Sequence, residues 1–349
     1  MAALSRVLDH APHAREVDVQ LAVTGAAGYL GLNLVDHLLV EGHEVRAIDR
    51  LAGRGGTPNG EADWQACDVL DPVVMGEALA DCEVVFHLAA RITLADEDPA
   101  AWRLNTEGVS VVARAALDRG ARRFVHCSSV HSFDQYSAPG GRICESSPRS
   151  TDPRLPVYDR SKYAGEQCLR AVVADGLDAV ICNPTGVFGP VDHGPSRMNG
   201  MLRDAARGRV PAVVTGAFDF VDVRDVVRSL AAAAERGRTG ENYLLPGHRI
   251  TMLEVFRQAA DASGHVGPLF AFPLRTVRAF APIMAPIAKL FGSDVVTDAA
   301  FGSLMASPAV DGTKAARELD HSPRPTDETV RDLVAFFVET GQLRRSAPR

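Results

Sequence analysis

An apolar run that ends in a glycine-rich turn limits the fold of this chain more than any other feature. Val19 to Thr24 reads as a buried strand, and Thr24-Gly25-Ala26-Ala27-Gly28-Tyr29-Leu30-Gly31 follows it directly. Leu30 to Gly42 then has helical spacing and stops at a glycine. Strand, glycine turn and helix in this order suit a dinucleotide, and each glycine meets a separate demand. Gly25 takes the tight turn, Gly28 lets the backbone approach a pyrophosphate, and Gly31 lets helix and strand pack closely. The helix start then offers unpaired N–H groups and partial positive charge to phosphates. Gly25, Ala27, Gly28, Tyr29, Leu30 and Gly31 are the expected cradle; a purely structural glycine turn is the alternative.

Further strand-like runs are Glu44 to Asp49, Val84 to Ala89, Arg123 to Ser128 and Ala179 to Asn183, with helical stretches between them. This rhythm implies an α/β fold, a Rossmann-type doubly wound parallel sheet with helices on both faces. Ligands then bind at the C-terminal ends of the strands. Asp49 ends the second strand, where a carboxylate accepts from ribose hydroxyls and repels a 2′-phosphate. That favours NAD, while the adjacent Arg50 keeps NADP open. Asp68, after the third strand, is a candidate for the adenine edge, or a solvated turn residue. Phe218 to Val223 is expected to return to the sheet, and from Ile250 onward helices dominate. The expected division is an extension over 1–18, a dinucleotide domain over 19–182 and 212–247, a smaller substrate-binding part over 183–211 and 248–343, and a tail over 344–349.

The 349 residues carry a net charge of −7 and no basic block, which argues against a nucleic-acid partner. Six cysteines show neither C-x-x-C nor zinc-like spacing, and fit a reducing, cytoplasmic setting. Met1 to Val19 lacks the pattern of a secretory signal. Leu269 to Phe291 is apolar, but its prolines and Arg275, Arg278 and Lys289 argue against a membrane span. A core helix or pocket lid is the expectation there, with attachment to a lipid surface as the alternative.

Tyr158-Asp159-Arg160-Ser161-Lys162 places a phenol and an ammonium one helical turn apart on one face. A free phenol, with a pKa of about 10, is a poor acid or base at neutral pH. A nearby ammonium and the positive ring of an oxidised nicotinamide would stabilise the phenolate. Ser129, at the end of a strand, would hold the substrate oxygen. Such Tyr/Lys pairs also arise by chance on solvated helix faces.

The chain resembles the extended short-chain dehydrogenase/reductase family, also called the NAD-dependent epimerase/dehydratase family. The matching pieces are TGAAGYLG at 24–31, CDV at 67–69, HLAA at 87–90, LNTEG at 104–108, CSSV at 127–130, YDRSK at 158–162, NPTGVFGP at 183–190 and FDFVDVRDVV at 218–227. The resemblance implies a catalytic triad of Ser129, Tyr158 and Lys162, with Ser128 on the cofactor side. It implies that Asp68 and Val69 border the adenine, that Leu88, Ala89, Ala90 and Asn105 lie by the nicotinamide half, and that Asn183, Pro184 and Thr185 border cofactor and substrate. It further implies a homodimer formed through the Tyr158 helix and the helix near 99–119.

Two branches fit the resemblance. Nucleotide-sugar epimerases and dehydratases carry an arginine for the diphosphate where this chain has Phe218; Arg197, Arg203, Arg207 or Arg209 could substitute, or form a solvated helix face. The run from Gly208 to Val227, Asp49-Arg50 and the C-terminal helix look more like dihydroflavonol reductases and 3β-hydroxysteroid dehydrogenases. The favoured expectation is a secondary alcohol/ketone oxidoreductase acting on a small, largely apolar molecule. A non-catalytic dinucleotide-binding regulator is a third reading. His131, Tyr136, His193 and Arg91 are candidates for substrate contact or plain loop residues.

Overall fold

The computed structural model describes residues 20–51, 61–138, 141–194, 196–273, 276 and 307–344. The expected extension over 1–18, most of the Leu269 to Phe291 segment and the tail beyond Arg344 lie outside them.

Among the described residues, seven strands form one parallel sheet. In chain order they are β1 (Gln20–Thr24), β2 (Glu44–Asp49), β3 (Asp63–Ala66), β4 (Val84–His87), β5 (Arg123–Cys127), β7 (Ala179–Pro184) and β11 (Asn242–Leu245). The spatial order β11-β7-β5-β4-β1-β2-β3 reverses direction between β1 and β4. That reversal is the switch point at which open α/β sheets bind ligands. Side chains alternate across the sheet as the pleat requires. Leu21 and Val23 face α1 (Tyr29–Val40) and α6 (Val223–Arg236) through Leu34, Leu38 and Leu230. Ala22 and Val85 face the other way, onto α2 (Pro72–Ala78), α3 (Pro99–Asp118) and α4 (Val157–Ala174). The aspartates Asp71 and Asp98 start α2 and α3 by accepting backbone N–H groups, each followed by a proline at the first helical position.

The remaining strands are β6 (Arg142–Ile143), β8 (Gly186–Phe188), β9 (Ala212–Val214), β10 (Ala217–Asp222), β12 (His248–Thr251), β13 (Phe270–Phe272) and β14 (Ala309–Val310). One expectation is corrected here. The run from Phe218 does not rejoin the main sheet: β10 lies between β8 and β12 in a separate small sheet, and β11 takes the edge beside β7. The reason is burial. Phe220 packs on Phe188 with ring centroids 5.6 Å apart, and both are buried with α5 (Arg197–Ala206), α7 (Met252–Ala262) and the C-terminal α9 (Thr326–Glu339). The main sheet already has a helix layer on each face and offers β10 no such partner. Residues 212–222 therefore sit with the smaller part, and α6 starts the return to the main sheet. The short α8 (Thr313–Leu319) packs on α6 through Ala315 and Leu319.

Candidate active site

At the switch point the backbone comes too close for side chains. Gly25 has φ +73°, and a Cβ there would lie 2.7 Å from the Ala89 nitrogen. A Cβ on Gly31 would lie 2.1 Å from the Gly25 carbonyl oxygen. Those two glycines bring β1, α1 and the Leu88-Ala89 loop together. Gly28 is the exposed N-cap of α1 and supplies no side-chain acceptor to its first turn. The Asp49 carboxylate, at the end of β2, accepts from the Ala27 N–H at 3.2 Å and the Leu51 N–H at 3.0 Å. An open helix start, a glycine cradle and a carboxylate on the neighbouring strand match the donors and acceptors of a dinucleotide. Arg50 and Asp68 are exposed on the same rim, and the Asp68 carboxylate accepts from the Leu70 N–H at 3.0 Å. Val69 is buried in the core, so only its backbone can face a ligand. Tyr29 turns away from the cradle and donates to the Gly189 carbonyl at 2.9 Å, its pKa raised by burial.

Ser129, Tyr158 and Lys162 converge at the ends of β5 and the start of α4. The Ser129 hydroxyl accepts from the His131 N–H at 3.2 Å, and it is near enough to the Tyr158 phenol to favour the phenolate. Lys162 is buried, and its Nζ donates to the Cys127 carbonyl at 3.0 Å. The expectation of a lowered phenol pKa is not met in the protein alone. Burial raises Tyr158 above its ordinary value, and the nearby Ser129 hydroxyl opposes this only in part. Burial likewise pushes the Lys162 ammonium down. Both shifts are desolvation of the charged form.

Behind this triad stands a residue that sequence reasoning passed over. Glu166 is fully buried and gathers the Ser128 hydroxyl at 2.6 Å, the Asn183 amide at 2.8 Å, the Asn242 amide at 3.0 Å and the Arg149 guanidinium. Asn183 also donates to the Ser129 carbonyl at 3.0 Å. Its position four residues after Lys162 was the available signal, since i and i+4 share a helix face. Ser128 and Asn183 are thus tied into this network. Asn105 is committed too: its amide joins the Arg91 backbone, at 2.9 and 3.1 Å, to Ser161 Oγ at 3.0 Å. It fixes the loop after β4 against α4. Pro184 ends β7 in the sheet, and the Thr185 hydroxyl donates to Asp219 at 2.7 Å.

A cavity of about 310 Å³ opens beside Tyr158. Its wall is chiefly apolar: Ile92, Leu94, Val130, Met198, Met201, Phe218, Phe220 and Met252. Of the four loop candidates only His131 lines it, with Thr185 and Arg197 among the other polar groups. Arg91 pairs with Asp98, His193 packs on Phe336, and Tyr136 is exposed. Arg203 and Arg207 bond Gln342 at the far end of α5. Of the proposed arginine substitutes, Arg197 alone reaches the cavity. Among the described residues no helix is long and apolar enough to cross a membrane.

Comparison with known proteins agrees with this architecture. The model of the NAD dependent epimerase/dehydratase family matches residues 21–245. Sterol demethylase protein B of Methylococcus capsulatus is 32% identical, covering 92% of this chain and 99% of its own. UDP-glucose 4-epimerase of Mycolicibacterium smegmatis is 31% identical over 63% of this chain and 75% of its own. The crystal structure of gox2253 superimposes with a TM-score of 0.78 at 32% identity, covering 94% of this chain and 100% of that one.

Proposed function

Since the chain belongs to the NAD-dependent epimerase/dehydratase family, we propose that it is an oxidoreductase interconverting a secondary alcohol and a ketone on a small, largely apolar substrate. The observation that carries this reading is the apolar cavity against Tyr158, with Phe218 in its wall. Apolar side chains exclude a hydrated diphosphate and favour a hydrocarbon frame. The likeness over nearly full length to a protein named for sterol demethylation supports the same substrate class.

When bound at the switch point, NAD(P) supplies or accepts the hydride at nicotinamide C4. For reduction, Ser129 and Tyr158 hold the ketone oxygen by hydrogen bonds, and Tyr158 gives it a proton as the carbon gains hydride. In oxidation Tyr158 takes the hydroxyl proton as hydride leaves the same carbon. Burial has raised the phenol, so the charged form needs the Lys162 ammonium and the positive oxidised ring. Asp49 favours NAD over NADP, and the family's pairing of α3 and α4 across a two-fold axis would make a homodimer.

The test is a titration with NADH and NADPH, followed by nicotinamide fluorescence, then addition of steroid-like ketones or UDP-glucose. The expected outcome is NADH binding with loss of fluorescence only when a ketone is present. Tight binding of UDP-glucose with no net NADH oxidation would favour an epimerase instead.

A further inference from the structure

Within the apolar wall of the cavity one ionisable pair stands out. His131 Nδ1 lies 3.0 Å from Asp159 Oδ1, and the Asp159 side chain is only 4% exposed. Among the described residues no lysine or arginine reaches Asp159. A buried carboxylate needs a cation or strong donors, and His131 is the group that provides one. A carboxylate accepts only, so the proton sits on Nδ1. The Gln135 amide, 3.1 Å from the same nitrogen, can then serve it only through its oxygen, the interchangeable amide orientation.

That arrangement sets what His131 offers to the cavity. Burial would lower its pKa, but the charge and hydrogen bond of Asp159 outweigh this and raise it, favouring the imidazolium. No described group takes Nε2, and the side chain is 26% exposed in the cavity wall. In the protonated ring this nitrogen is a charged donor surrounded by hydrocarbon. The other acid of the wall, Asp219, is occupied by the Thr185 hydroxyl and the Gly247 N–H, each at 2.7 Å. Arg197 adds an exposed positive charge. The imidazole and the Tyr158 ring meet edge to face with centroids 5.5 Å apart. The imidazole therefore stands beside the phenol that is assigned to the substrate oxygen.

We propose that His131, set by Asp159, is a specificity-determining residue that binds a carboxylate on the substrate near the reacting carbon, so that the enzyme takes apolar hydroxy or keto acids over their uncharged counterparts. Charge-assisted hydrogen bonds to carboxylate are about twice as strong as neutral ones. This rests on the assignment of Tyr158 to the substrate oxygen.

The probes are 2-hydroxycyclohexane-1-carboxylate and its methyl ester, both stereoisomers of each. Calorimetry on the protein saturated with NADH gives their affinities, and NAD⁺ or NADP⁺ reduction gives turnover. The acid is expected to bind at least about tenfold more tightly than the ester. His131→Asn and Asp159→Asn should each remove that preference while ester and NADH affinities stay unchanged, which also shows that the variants are folded. Equal affinity for acid and ester, no binding of either, or a preference that survives His131→Asn would overturn the inference. Turnover answers the other question: binding with the expected preference but no turnover of either probe counts against the oxidoreductase reading alone.

Discussion

The crevice at the end of β1 and the apolar cavity beside Tyr158 are built in different ways. The crevice is made of backbone. Its shape comes from two glycines where any side chain would collide, a bare helix start and one carboxylate held by N–H groups. The cavity is made of side chains drawn from separate segments: the loop after β4, the turn after β5, α5, β10 and α7. Backbone geometry tolerates almost no substitution, whereas a side-chain wall can be rebuilt one residue at a time. The first region therefore preserves a cofactor, and the second can change substrate.

The hardest test removes the group through which the two regions would act together in the proposed reaction. Tyr158→Phe should lower kcat by about 10²–10⁴-fold, the usual worth of a general acid or base, with NADH affinity unchanged. Stopped-flow or steady-state rates check this, and an unaltered rate would remove the phenol from the mechanism.

A smaller but structural effect is expected in the crevice. Gly31→Ala puts a Cβ 2.1 Å from the Gly25 carbonyl, so α1 must move off β1. Overpacking of this kind costs about 1–3 kcal/mol, and NADH binding should be lost with it. Urea unfolding and the fluorescence titration measure both. If NADH still binds, the close packing is not what shapes the crevice.

Acid should also strike the sheet rather than the cavity. His87 and His126 stack in β4 and β5 with ring centroids 5.5 Å apart, fully buried. Burial lowers His87 to about 3, with the Lys162 ammonium adding to it, and lowers His126 as well. The unfolded chain takes up protons near pH 6.5 that the native state refuses. The stability from neutral burial is therefore complete above about pH 6.5 and declines as pH falls toward the depressed folded value. For His87 alone this amounts to about 2 kcal/mol between pH 7 and pH 5. A urea midpoint that stays flat over that range would contradict the buried neutral pair.

The mildest change is predicted for the cavity wall. Phe218→Ala widens the space beside Phe220 and should raise KM for an apolar ketone about tenfold, equivalent to about 1.4 kcal/mol, while leaving NADH affinity alone. A parallel loss of NADH binding would show that the two regions are not separable.

What was legible in the chain follows the same division. The strand at 20–24, the turn through Gly31, the helix after it and the Asp49 strand end are local features, and their periods and glycines name them in sequence. Tyr158 and Lys162 could be paired from spacing alone. Glu166, which orders Ser128 and Asn183, shows its role only in three dimensions, because its partners come from four other segments of the chain. The run at 218 looks like a strand of the main sheet because an alternating apolar strand has the same pattern in either sheet. Only the three-dimensional competition for the edge beside β7, taken by Asn242–Leu245, separates the two. His131 and Asp159 lie 28 residues apart and carry no shared pattern. The glycine turn, the strand–helix rhythm of the α/β core and the Tyr/Lys spacing can be read from the chain, because each depends on neighbours within a few residues. The cavity wall, the buried Glu166 network and the His131–Asp159 pair beside Tyr158 come from the tertiary structure, because burial and electrostatics depend on which distant segments meet.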